Sequence, residues 1–452
     1  MSPASMLVVA LGIVLALPLV ARAVRRRFDP FEPIVVFALA YGVMFVARPA
    51  AMLFNGDLSY FGVDIRSTIT PMLVVALTGA VAFVCGYELR TGRLLARSLP
   101  RPRDVPTSAG IVGAAIMIGL ALVALCVMLW PAGGTKRFTI ILQGQSWETM
   151  HLVSARGSYP LMIAMLVAPA AILLLALGLR ERRPALLVGA ALTTMLALFL
   201  TIPLGARSFV LPLVGGCVTL AYVRRGTRPR VVTFVVLVLL AFVTSYALIT
   251  LREPARRAHL DYYAKQFAKS PWVALSPVTH GEDANMAPVL AGALRVVPSS
   301  LEYRYGGAFF GDLALRPIPR PLWPDKPKPP RLRVVEAVWP ALAKDGFQPE
   351  FSPLLVFYWD FGIAGVFAGM AFFGIACRAL YEWFLRHRAN FAAQMIFAIS
   401  LWLVPAGARN DPVETIVFAC VLVLPLIVLE RCSGLRRPVP APVGAEAGLS
   451  RE

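Results

Sequence analysis

The residues of this chain best equipped to act on a ligand are arginines and carboxylates placed where apolar runs end. Arg252, Arg256 and Arg257 follow directly on one apolar run, Arg207 sits between two others in LGARSFVLPL, and Arg409 closes another in PAGARNDP. A guanidinium is a planar fork of donors that matches phosphate oxygens two at a time, so such groups at a membrane boundary suit a phosphate or pyrophosphate. Each also has a simpler role: Arg207 snorkelling to headgroups, the 252–257 group touching anionic lipid, and Arg409 pairing with Asp411. Two acids are candidate general bases. Glu350 precedes a long apolar run in GFQPEFSPLLVFYWDFG, and Asp360 lies within it, where an acid is either functional or paired with an arginine. Glu302 and Asp312, flanking YRYGGAFFGD, read as solvated loop acids. Tyr303, Tyr305 and Trp323 carry rings that can stack on sugars, and Trp323 equally suits a lipid interface.

Other chemistries are not written in the chain. His280, Glu282 and Asp283 are ligand types without fixed spacing, so no metal site and no cofactor is expected. There is no GxxxxGK[ST] phosphate loop, no HExxH, no CxxC and no GxSxG. An ATP-driven step or a Ser nucleophile on an elbow therefore has no sequence support.

The elements that must position these residues are membrane helices. The chain has 452 residues, 58% of them hydrophobic, and a net charge of +19; its mean hydropathy is +0.70. That hydropathy belongs to a helical bundle in lipid and not to a soluble domain. Apolar runs long enough to span recur along it, and arginine clusters follow every second one, as at 22–27, 90–103, 180–183, 224–230, 378–388 and 431–437. Because cytoplasmic loops collect Lys and Arg, the positive charge reads as orientation, and nucleic acid is not an expected partner.

The expectation is an all-α polytopic membrane protein with about eleven transmembrane helices, ten to twelve at the limits, and one long outward loop containing short helices. The spans fall at 6–21, 31–47, 71–88, 109–130, 160–179, 185–203, 208–223, 231–250, 353–376, 392–406 and 412–429. The first lacks the positive start of a signal peptide. Residues 1–250 thus hold helices 1–8, 251–352 the outward loop, 353–430 helices 9–11, and 431–452 a basic cytoplasmic tail. The N-terminus is expected outside. The six cysteines lie in apolar runs or on the cytoplasmic side, so no disulfide framework is implied. Within the long loop, 254–270 has helical spacing, 315–330 is proline-rich and stiff, and 333–344 places Val334, Val335, Val338, Trp339 and Leu342 on one face. That pattern predicts an amphipathic helix lying on the membrane surface, with Pro340 ending it early.

The stretch RPIPRPLWPDKPKPP resembles the P-R-x-L-W-P-x-K-P segment of bacterial oligosaccharide repeat unit polymerases of the O-antigen polymerase type. The following PEFSPLLVFYWDFGIAGVFAGM is similar to that family's next helix, with an acid before it and FG-x-x-G inside it, and the GARSFVLPL and RNDPVE turns fit the pattern. The similarity covers about 200–425. It departs at Asp360, where the family often has asparagine. The resemblance implies a glycosyltransferase of the bacterial inner membrane that moves a glycan from a polyprenyl-pyrophosphate carrier onto a lipid-linked repeat unit. Its partners would be the lipid-linked oligosaccharide, membrane lipid, a chain-length regulator and a flippase. Glu350 and Asp360 would then be catalytic, Arg207, Arg252, Arg256, Arg257, Arg320 and Arg409 would hold pyrophosphate, and Trp323, Tyr303 and Tyr305 would hold sugar.

Three rival readings stand beside it. A ligase would take the same donor and another acceptor. A monosaccharide transferase with a polyprenyl-monophosphate donor would show paired acids in the first outward loop, where Asp57 and Asp64 stand seven apart. A transporter or flippase would favour broken helices with midplane polar sites and internal repeats, of which the sequence shows few.

Overall fold

A computed structural model describes residues 2–129, 159–201, 207–229, 284–344 except 319–321 and 324, and 349–433, with isolated positions between 233 and 270. The helices in order are α1 (Pro3–Val24), α2 (Pro33–Gly42) running through a π-helical turn Val43–Ala47 into α3 (Arg48–Asn55), α4 (Ile69–Glu88), α5 (Arg90–Ser98) and α6 (Thr107–Leu129). There follow α7 (Tyr159–Ala164), α8 (Val167–Glu181), α9 (Pro184–Thr201) and α10 (Arg207–Arg225). The long loop contributes α11 (Met286–Ala293), α12 (Asp312–Leu315), α13 (Pro330–Val338) and α14 (Pro340–Lys344). The last group is α15 (Pro353–Arg386), α16 (Phe391–Leu401), α17 (Leu403–Arg409), α18 (Pro412–Leu422) and α19 (Leu424–Ser433). The strands among the described residues are β1 (Ser59–Tyr60) and β2 (Val63–Asp64), an antiparallel hairpin.

Eight helices among the described residues are long and apolar enough to cross a bilayer, and the chain is a multi-pass helical membrane protein. They correspond to eight of the eleven expected runs; 185–203 and 208–223 have no counterpart among them, since α9 is a shorter apolar helix and α10 is not among the eight. The expected run 231–250 lies largely outside the described residues.

The arginine clusters gather at one end of the bundle because their partners do. Arg22 on α1 donates to Glu32 before α2 and to Glu88 at the end of α4, both at 2.7 Å. Arg378 on α15 meets the same Glu32 at 3.5 Å and Glu382 at 2.6 Å. Tyr87 donates to Glu32, and Tyr381 to Asp29. Arg180 donates to Glu181 and Thr107, and the Arg103 amide donates to Glu430. The ends of α1, α4, α8, α15 and α19 and the starts of α2, α6 and α16 therefore share a layer, called here the arginine end. The opposite, or loop, end carries the hairpin, α11–α14 and the turns at 350 and 410.

Close helix packing fixes the frame between the ends. The α4–α15 contact depends on small residues: a Cβ at Gly86 would strike the Ala371 carbonyl, and one at Gly374 the Phe83 carbonyl.

The amphipathic stretch at 333–344 is helical as α13 and α14, broken near Pro340, but its apolar face does not lie on the membrane. Val334, Val335 and Trp339 are buried in the protein, and the Trp339 indole N–H donates to the Tyr60 carbonyl of the hairpin at 3.2 Å. The face that would bind lipid is used instead to fasten the long loop onto the hairpin.

Glu32 compensates both Arg22 and Arg378 where neither has much solvent. Glu32→Ala is expected to destabilise the protein by about 3–5 kcal/mol, the cost of stranding a buried charge. Glu88→Gln, at a half-exposed position, is expected to cost under about 1 kcal/mol. Thermal unfolding of the two variants in one detergent compares them directly.

Candidate functional site

The site at the loop end is built on a break in α15. Phe361 has φ −142° and ψ 23°, and Gly362 has φ 60° and ψ −147°, a region open essentially to glycine alone. The break frees backbone acceptors, and the segment 302–309 takes them. The amides of Arg304 and Tyr305 donate to the carbonyls of Trp359 and Asp360 at 3.0 and 3.1 Å. The Trp359 indole N–H donates back to the Glu302 carbonyl at 3.0 Å. Asp360, fully buried, accepts the amides of Ala308 and Phe309 on its two carboxylate oxygens at 2.8 and 2.9 Å. These two amides open the π-helical turn Gly307–Gly311 that runs into α12, so the carboxylate caps that helical start.

α12 delivers the next layer. Asp312 is buried, not solvated as its loop position implied, and pairs with Arg316 one turn on at 3.3 Å. The Arg316 carbonyl accepts the Tyr159 hydroxyl at the start of α7, which pins the segment against the bundle. Arg331 enters from the first turn of α13, and Glu350 from the extended turn before α15. From the other side comes the turn Asn410–Asp411 and the first turn of α18. Asp411 caps α18 by accepting the Val413 amide at 2.7 Å. Glu414 stands three residues on, where an acid usually folds back onto the cap.

Here it does not fold back. The Glu414 Oε2 is shut off from solvent and accepts no hydrogen bond among the described residues. Its electrostatic neighbours are Glu350, Arg331, Arg316 and Asp411. The Arg331 Nε, the Asn410 Oδ1 and the Ser352 Oγ are likewise buried without partners. Burial pushes the Asp411 carboxyl up to about 6, the Val413 amide opposing and Asp312 adding to it. Glu414 and Arg331 thus stand in one cluster of charged groups with hydrogen-bonding capacity unspent on the Glu414 Oε2 and the Arg331 Nε. Such a set can take a hydroxyl proton on a carboxylate and hold an anionic leaving group on the arginines.

The sequence-derived candidates distribute unevenly over this site. Glu350 belongs to it. Asp360 does not present a free oxygen to it, since both of its oxygens are used by backbone amides. Arg409 ends α17, one residue before the Asn410–Asp411 turn. Arg207 opens α10, but its side chain lies outside the described residues, as do Arg252, Arg256, Arg257 and Arg320, together with His280, Glu282 and Asp283. Tyr303 and Tyr305 line a separate groove with Tyr358 and Phe361 at the break. Trp323 stands exposed in the proline-rich stretch. No group of acids, His and Cys among the described residues has metal-holding geometry.

Sequence reasoning read Asp312 as a solvated loop acid and passed over Arg316, Arg331 and Glu414. Two signals existed: the i,i+4 spacing of Asp312 and Arg316, and an acid inside the first turn of an apolar span for Glu414. Comparison with known proteins gives no family model, no curated protein and no solved structure that this chain matches.

Asp360→Ala would leave one buried and one part-buried amide unpaired, at up to roughly 1–3 kcal/mol each. The expected result is a lower unfolding temperature together with faster proteolysis between 302 and 316. An unchanged cleavage pattern would show that the segment is held by something else.

Proposed function

We propose that this protein is an envelope glycosyltransferase that moves a glycan from a polyprenyl-pyrophosphate carrier onto a lipid-linked repeat unit. One observation carries the reading: the buried, unpartnered oxygen of Glu414 beside Glu350, with Arg331 and Arg316 facing it at one end of a membrane bundle. In the transfer, the acceptor hydroxyl oxygen bonds to the anomeric carbon as that carbon parts from the pyrophosphate oxygen. The hydroxyl proton passes to the Glu350–Glu414 pair. The pyrophosphate leaves on its carrier with added negative charge, which the forks of Arg331 and Arg316 stabilise. Arg409 and the arginines at 207, 252, 256, 257 and 320 would extend that anion-binding face. Asp360 acts in this reading through the segment it holds, and Tyr303, Tyr305 and Trp323 supply sugar-stacking surface. The resemblance around the proline-rich stretch supports the same reaction, and a ligase taking the same donor would use the same groups. The arginine end is then cytoplasmic and the loop end periplasmic in a bacterial inner membrane.

Glu414→Gln keeps the shape and removes the basicity. Polymer made by cells carrying it is expected to collapse to single repeat units at a normal protein level. Arg331→Lys keeps the charge and loses the fork, with an expected rate loss of about 10²–10³-fold, the scale for one preorganised donor. Full-length polymer from both variants would sink the site.

The orientation has its own check. In a cysteine-free background, a cysteine at the exposed Ser299 is expected to react with an impermeant thiol reagent on spheroplasts, and one at the exposed Thr91 only after lysis. The reverse pattern would turn the site toward the cytoplasm and exclude the lipid-linked reaction.

A further inference from the structure

Arg48 differs from the buried arginines of the opposite end. Arg22 and Arg378 each meet two carboxylates there. Arg48 is as deeply buried, at 8% exposure, yet its side chain makes no ion pair and no hydrogen bond among the described residues; its Nε, like that of Arg378, is sealed from solvent without a partner. Asp57 and Tyr60 act on it only through space. A buried charge with no counter-charge within ion-pair distance is costly, and it is retained where a ligand supplies the missing partner.

The local backbone aims this side chain. α2 does not run evenly into α3: the π-helical turn Val43–Ala47 intervenes directly before Arg48 and re-registers every residue after it. The surroundings are rigid. The hairpin after α3 is fastened by Trp339 on the Tyr60 carbonyl and by Arg295 on the Asp64 carbonyl at 2.6 Å. α11 packs against α3 and the π-helical turn, and its first-turn neighbour Asn285 has a buried side-chain oxygen with no partner.

We infer that Arg48 is a second anion site, which binds the phosphate of the second lipid-linked substrate. The inference rests on the glycosyltransferase reading above, whose reaction brings together two molecules that each carry a polyprenyl pyrophosphate. One is cleaved at the Glu350–Glu414 pair, and the other must be held by its phosphate while its sugar attacks. A planar fork fits that second phosphate.

The test titrates farnesyl pyrophosphate into the purified full-length protein in phosphatidylcholine nanodiscs and reads stoichiometry by calorimetry. Two equivalents per chain are expected for the wild type and one for Arg48→Gln. Arg48→Lys, the gentler change should the first fail to fold, is expected to weaken one of the two equivalents about tenfold or more. A single equivalent in the wild type, or two in Arg48→Gln, would overturn the second site and leave the glycosyltransferase reading standing. Loss of the Arg48-dependent equivalent when phosphatidylglycerol is added to the disc would overturn it too, assigning Arg48 to bulk anionic lipid. No binding by the wild type would remove both proposals together.

Discussion

Two hydrogen bonds from backbone amides to the Asp360 carboxylate organise the loop end of this molecule. They matter because α15 is 34 residues long, about 51 Å at 1.5 Å per residue, and a hydrocarbon core is only about 30 Å thick. A helix of that length has turns to spare. The chain interrupts it at Phe361–Gly362 and uses the interruption as a socket. The segment from 302 to 316 plugs into it and is thereby fixed to a membrane helix along most of its length. Without that attachment, Arg316 and Asp312 would sit on a loop tip.

The two ends of the bundle use charge in opposite ways. At the arginine end, Glu32, Glu88, Glu382 and Asp29 are spread among the cations so that each buried guanidinium has a carboxylate. The result is a layer in which buried cations are tied to acids by ion pairs, with the Arg378 Nε left without a partner. At the loop end, charged groups are brought together with atoms left over, on Glu414, Arg331, Asn410 and Arg48. Unspent hydrogen-bonding capacity in a buried place costs stability and is the physical mark of a site built for something else to enter.

The membrane helices were legible because each is a run of apolar residues bounded by charge, and their alternation with arginine clusters anticipated which ends would meet. The site was legible only in part. Glu350 was singled out for its place before an apolar run, and it does join the cluster. Glu414 was not, since an acid three residues after Asp411 reads as an ordinary capping partner; only the fold shows that it turns away from the cap. Asp360 was legible as a buried acid but not as a cap, because its partners are main-chain amides 52 and 51 residues away, and main chain carries no sequence signal. The apolar face of 333–344 was read correctly as a face and assigned to lipid, when Tyr60 and its hairpin stood ready to cover it.

That last contact sets the order in which the molecule can be made. Tyr60 and Trp339 are 279 residues apart in the chain. At a synthesis rate of about 5–20 residues per second, the hairpin leaves the ribosome roughly 15–60 s before the tryptophan that covers it. During that interval the early spans must wait in the bilayer with their outer surface uncapped, and the cap closes only when α13 arrives. The loop end is therefore the last part of the protein to mature, and a nascent chain stopped before Trp339 would hold an inserted bundle without a finished site.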